Sequence, residues 1–235
     1  MSLEYYELKI GDPKAAKLAR ALREAYGDVP LPEFPQTIEP ISLDKVWELQ
    51  ANRLADHFAS ELGQSKNQYM DSLPKLNPQP ENYGDRFDLP MIVQTPTRKL
   101  TLARMCEIVG IVNYLSDPKE LKDWQKDSGK FKTPANSYIT WLNDGSRNKE
   151  RSVEDVRKSL LEDERGGTVY DGLALFIQNP DILKSHYLDL PGSQYGSDRA
   201  PCLREGGGVV GRGSTAVLLA VLIPAVVRLS REEIL

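Results

Sequence analysis

The chain has 235 residues, 40% hydrophobic and 27% charged, with a formal net charge of −4. That is enough chain to bury one substantial core, in proportions ordinary for a folded protein and unlike a disordered or fibrous one. The acidic excess supplies no general attraction for nucleic acid or anionic lipid, so no nucleic-acid partner is expected.

Residues 12–26, "DPKAAKLARALREAY", read as a helix, with Asp12 as cap, Pro13 in the first turn and Ala15, Leu18, Ala19 and Leu22 on one face. Residues 28–42 then carry four prolines, which force extended or turning backbone. After Ser42, residues 43–62 place Trp47, Ala51, Leu54, Phe58 and Leu62 at spacings of four, three, four and four, the pattern of a long amphipathic helix. A second breaker-rich run, 71–90, again has four prolines and reads as a linker.

Beyond it, "PMIVQT" at 90–95 has strand length, and "TLARMCEIVG" at 101–110 reads as a capped helix stopping at Gly110. "SYITWLNDG" at 137–145 is a strand running into a turn. Ser152 with Asp155, and Thr168 with Asp171, have the spacing of helix-start caps. Pro180 ends the second of these helices, "DILKSHY" adds a helical turn, and "APCL" at 200–203 resembles a short strand. The fold class expected is α+β: a helical N-terminal part, then a mixed α/β domain with a small sheet. The expected division is 1–70 helical extension, 71–90 linker and 91–235 α+β domain.

The stretch "EGGGVVGRGST" at 205–215 has the glycines of a phosphate loop, but Arg212 stands where lysine belongs and the hydroxyl is displaced by one residue. A glycine turn is the expectation, and no cofactor is expected. "TAVLLAVLIPAVV" at 215–227 is the most apolar window, bounded by Arg212 and Arg228. It is shorter than the roughly 20 residues of a membrane-spanning helix, so a buried strand, a helix or a partner-binding segment is expected there. The N-terminus lacks the apolar stretch of a secretory signal, and Cys106 and Cys202 form no C-x-x-C pair. These features predict a cytoplasmic protein without a membrane partner. His57 and His186 have no second His or Cys at ligand spacing, and Glu162, Asp163 and Glu164 read as a solvated face, so no metal is expected.

Reactive residue types concentrate at 186–202, "HYLDLPGSQYGSDRAPC". Candidate catalytic or ligand-binding residues are His186, Ser193, Asp198 and Arg199: Asp198 and Arg199 as groups binding or polarising a polar ligand, Ser193 as a donor. The same residue types are also standard turn formers, and His186 suits a helix C-terminus or a buried hydrogen-bonding position. Two functions stay open. One is a non-enzymatic binding or scaffold protein contacting a protein partner or another copy of itself; the other is a small-molecule hydrolase or transferase using the 186–202 loop. The first is favoured.

The block "GGTVYDGLALFIQNPDILKSHYLDLPGSQYGSDRAPCL", with "LPMIVQT" and "TPANSYITWLNDG" upstream, resembles a bacterial family of unknown function over residues 88–203. The resemblance implies a fold-level grouping and no catalytic residue. The chain departs from that pattern after Leu203, as a divergent tail or the trace of a reading-frame change would.

Overall fold

The computed structural model describes residues 42–81, 87–124, 132–162, 164–206 and 215–222. The chain divides into two units, Met1–Pro40 and Ile41–Leu235, and everything below belongs to the second. The helix expected at 12–26 and nearly all of the proline-rich stretch after it lie outside the described residues.

Helix α1 (Leu43–Leu62) begins where the Ser42 hydroxyl accepts the Lys45 N–H, and ends at Gly63, whose φ of 73° only glycine adopts without strain. Its buried face holds Trp47, Ala51, Leu54 and Phe58, as the spacing predicts, with Leu62 half-buried against the same core. Helix α2 (Lys66–Ser72) follows a reciprocal cap between Ser65 and Gln68 and buries Tyr69. The Tyr69 hydroxyl donates to Gln94 Oε1 at 2.6 Å. Residues 74–80, about a third of the expected linker, follow within the same unit, and residues 82–86 of it lie outside the described residues.

Strands β1 (Leu89–Val93) and β4 (Tyr138–Leu142) form a two-stranded antiparallel sheet, from Leu89 opposite Leu142 to Val93 opposite Tyr138. The outer edge of β1 is closed by a helix side chain. Gln50 of α1 donates through Nε2 to the Pro90 carbonyl at 2.6 Å and accepts the Ile92 N–H on Oε1 at 2.9 Å. Pro90, which has no N–H, thus stands in the row where the amide needs only a carbonyl.

Helix α3 (Leu102–Ile108) is capped by Thr101 and stops before Gly110, at φ 76°. The larger sheet combines β2 (Val112–Asn113), β3 (Leu121–Asp123), β5 (Leu188–Asp189), β6 (Ser193–Tyr195), β7 (Arg199–Gly206) and β8 (Thr215–Leu222). Its order is β2-β8-β7-β6-β3, with β5 also paired to β7, and all pairs are antiparallel except β2 with β8. Pro201 in β7 falls between the stretch paired with β6 at Arg199 and the stretch paired with β5 at Cys202 and Leu203. Its carbonyl accepts the Leu190 N–H at 2.9 Å.

The apolar window is a strand of this sheet over its described part. β8 pairs with β7 from Arg199 opposite Leu222 to Gly206 opposite Thr215, and Val217 and Leu218 are buried. The glycine-rich stretch therefore joins two antiparallel strands, whereas a phosphate loop leads from a strand into a helix. Residues 207–214 and 223–227 lie outside the described residues. Among the described residues no helix is long and apolar enough to cross a membrane.

Helices α4 (Val153–Ser159), α5 (Val169–Gln178) and α6 (Ile182–Ser185) start where the sequence places caps or a turn. One hydrophobic core joins Leu54 and Phe58 of α1, Ile92 of β1, Met105 of α3, Leu173 of α5, Leu203 of β7 and Leu218 of β8. The architecture is α+β, helical at first and then a mixed sheet beside a small antiparallel one.

Candidate functional site

Residues 164–168 cross the 190–193 turn at backbone contact distance. A Cβ on Gly192 would lie 2.0 Å from the Gly166 carbonyl oxygen, and one on Gly166 would lie 2.4 Å from the Gly192 nitrogen. No side chain fits at either position. The Gly192 N–H donates to the Gly167 carbonyl at 2.9 Å, and Gly172 lets α5 settle against Leu190. These contacts account for the "GGT", "DGL" and "LPGS" pieces of the sequence block as packing requirements.

Beside the crossing lies a buried polar node. Asp171, at N3 of α5, is 1% exposed and accepts from the Thr168 N–H at 2.7 Å, the Thr168 hydroxyl at 2.9 Å and the Tyr138 hydroxyl at 2.7 Å. Arg165 pairs with both of its oxygens, at 2.5 and 3.1 Å, and also reaches Thr140 at 3.3 Å. Burial alone would raise the Asp171 carboxyl, but the Arg165 charge and the converging donors outweigh it and hold the group below the usual carboxylate range. Burial likewise opposes the Arg165 charge, and Asp171 more than restores it, so its pKa rises. The Tyr138 hydroxyl is pushed up by burial and by the neighbouring Asp171 charge.

The four candidate residues go to different places. The Ser193 hydroxyl is buried and accepts the Val169 N–H at 3.1 Å, so it caps the first turn of α5 from another part of the chain. Its carbonyl, with that of Pro191, takes the guanidinium of Arg157 at 2.9 Å each, and Arg157 stacks 4.6 Å over the Trp124 ring. Burial lowers the Arg157 pKa to about 10. Asp198 and Arg199 lie at the β6–β7 turn, where Asp198 is exposed and accepts from the Ser197 hydroxyl at 3.4 Å. Arg199 covers the Tyr195 ring at 4.8 Å and pairs with Glu120 at 3.4 Å. His186 ends α6, with Nε2 2.6 Å from the Asp144 carbonyl and Nδ1 2.7 Å from the Ser185 hydroxyl.

Among the described residues a cleft of about 840 Å³ lies between the 143–151 turn with α4 on one side and α6 with β5 on the other. Apolar side chains, among them Leu142, Val156, Leu160, Leu183 and Leu188, form much of its lining. Arg147, Lys149 and Glu150 stand on the first wall, Tyr187, Asp189 and Glu205 on the second, and Arg165 and Asp171 reach it from the polar node. Glu150 holds a positive φ of 68°, the one such non-glycine residue among those described. Of the four candidate residues, only His186 lines this cleft.

The sequence reading gives Asp171 only as a helix cap and assigns no role to Arg165, which follows the acidic residues 162–164 read as a solvated face. The available signal was a buried cap: an Asp at N3 of the apolar sequence "GLALF", three residues after Thr168 and six after an arginine. Among the described residues no three His, Cys, Asp or Glu side chains converge where they could hold a cation. Of the acidic run, Glu164 accepts the Leu161 N–H at 3.0 Å, and Asp163 lies outside the described residues. Comparison of the chain with family models, with curated proteins and with solved structures finds no match.

Proposed function

We propose that this chain is a non-enzymatic binding or scaffold protein, with the cleft between the 143–151 turn and α6–β5 as its contact surface for a protein partner or a second copy. The observation that carries the reading is the dispersal of the candidate reactive groups. Ser193 is occupied as a helix cap, Asp198 and Arg199 sit at a turn outside the cleft lining, and His186 alone lines the concavity. A hydrolase or transferase needs nucleophile and base within hydrogen-bond reach of one another and of a common reacting atom. The cleft instead combines an apolar lining with charged walls, as protein-binding surfaces do. Tyr187 on its rim, 61% exposed, supplies an amphipathic contact residue of the kind enriched at such surfaces. Cys106 and Cys202, both free and buried, support a cytoplasmic address.

Native mass spectrometry combined with hydroxyl-radical footprinting tests this reading. The expected result is an oligomer or a co-purifying protein, with Tyr187 protected from oxidation relative to Tyr114, which is 64% exposed and absent from the cleft lining. A monomer that retains a small molecule and labels both tyrosines equally would turn the assignment to the enzyme.

A further inference from the structure

The two edges of the small sheet are unequal. Residues along an antiparallel pair alternate between hydrogen-bonded and non-hydrogen-bonded positions. The Pro90 carbonyl and the Ile92 N–H point away from β4, into Gln50. Pro90 lies opposite Trp141 and Ile92 opposite Ile139, so these are the non-hydrogen-bonded pairs, and the N–H and C=O of Ile139 and Trp141 point away from β1. Among the described residues no hydrogen bond reaches any of these four groups. β1 is closed on its outer side, and β4 is open on its own.

The open edge also lacks the devices that protect the other outermost strands. An exposed strand edge is ordinarily kept from pairing by shortness, by charge or by proline. In the larger sheet β2 has two residues, and β3 has three, of which Lys122 and Asp123 are charged. In the small sheet β1 carries Pro90 beneath its Gln50 cover. β4, "YITWL", has five residues with no charge and no proline, all of them half-buried.

Only an extended backbone satisfies such a row, and the sequence of β4 matches itself. A second β4 laid antiparallel about a twofold axis through Thr140 sets Ile139 opposite Trp141 of the second copy, and Trp141 opposite its Ile139. Both are hydrogen-bonded positions, so four bonds use every open group on the two copies. The side chains agree with the backbone: each of these rungs pairs a β-branched residue with an aromatic one, a favourable cross-strand combination. The contact is isologous, one patch meeting itself, as a closed dimer requires.

We propose that two copies of this chain join edge to edge through β4, giving a four-stranded sheet in the order β1-β4-β4-β1. Ile139, Thr140 and Trp141 are absent from the cleft lining, so this surface is separate from the cleft and does not rest on the cleft's being a binding surface.

Sedimentation velocity and directed cross-linking of the full chain test the dimer. The unaltered chain should sediment as a dimer. Residues at Thr140 would form a non-hydrogen-bonded pair on the axis, with Cα atoms about 4.5 Å apart. A disulfide spans about 4.4–6.8 Å between Cα atoms. Two Thr140→Cys copies should therefore cross-link under mild oxidation at least about tenfold faster than two Tyr114→Cys copies, because pairing raises the effective concentration of the thiols. Tyr114 is 64% exposed and follows β2 in the larger sheet, and the native Cys106 and Cys202 are buried. Ile139→Pro removes an N–H that nothing within the molecule uses, as Pro90 does on the other edge. It takes two of the four bonds and should weaken the dimer by about tenfold or more. If circular dichroism shows that variant unfolded, the Thr140→Cys cross-link decides. A monomeric unaltered chain, cross-linking at Thr140→Cys no faster than at Tyr114→Cys, or a folded Ile139→Pro chain that dimerises as before overturns the edge contact. A dimer that fails the Thr140→Cys test while protecting Tyr187 overturns it too and moves self-association to the cleft, so the two readings fail separately.

Discussion

Two arginine–carboxylate pairs flank strand β6, and they differ in nearly everything but their chemistry. Arg165 and Asp171 meet with their side chains 21% and 2% exposed, amid a tyrosine and two threonine hydroxyls. Arg199 and Glu120 meet at 3.4 Å with side chains 38% and 45% exposed. In the first pair Tyr138, Thr168 and Arg165 all donate to one carboxylate, so the position of α5, the 165–168 segment and β4 relative to one another depends on it. In the second, water competes for both partners and screens their attraction. The candidate residues divide along this line: Ser193 belongs to the committed region, Asp198 and Arg199 to the solvated one. Residue type alone does not separate a reactive group from a structural one; the density of prior commitments does.

The largest test of this contrast is Asp171→Asn. It removes the charge that Arg165 pairs with at both carboxylate oxygens and should cost about 3–5 kcal/mol in urea unfolding. Acid sharpens the point. The Asp171 carboxyl is held below its unfolded value, so its contribution is complete above the unfolded carboxyl range near pH 4 and is lost as pH falls through the lower folded value. The Asn variant should lose that part of the acid dependence, and an unchanged acid limb would remove Asp171 from the centre of the node. Gly192→Ala comes next, at about 1–3 kcal/mol, because its Cβ would need the two backbone segments to part. Ser193→Ala should cost about 1 kcal/mol through the lost cap on the Val169 N–H, and should leave partner binding at the cleft unchanged. A loss of binding with unaltered stability would return Ser193 to a functional role. Smallest is Glu120→Gln, expected within about 0.5 kcal/mol by the same melt. A cost rivalling that of Asp171→Asn would erase the distinction between the two pairs.

Much of the helical framework was legible because its signals are local. The Trp47–Phe58 face, the Ser152 and Thr168 caps and the glycine stop at Gly110 each depend on residues within a turn or two of one another. Strands β2, β3 and β6 have two or three residues each and no periodicity to read; they exist through partners such as Leu218 and Tyr195, far away in sequence. The apolar window was compatible with strand or helix until the eight-residue pairing with β7 decided it. The site was less legible still. His186, Ser193, Asp198 and Arg199 are close in sequence, but the chain turns inward at Leu190–Ser193 and outward again at Gly196, and the group disperses. Arg165 was hidden for the opposite reason: a charged run normally faces water, and this one sends a single arginine inward to meet Asp171.

The Gln50 amide on the edge of β1 has a consequence for the molecule's dealings with its own kind. A free edge offers alternating carbonyls and N–H groups to any extended chain that drifts past, which is how sheets recruit neighbours into fibres. Here a single side chain, itself 4% exposed, occupies that row at Pro90 and Ile92. On the β1 side the small sheet is thereby blocked, at these two positions, against the approach of another extended chain.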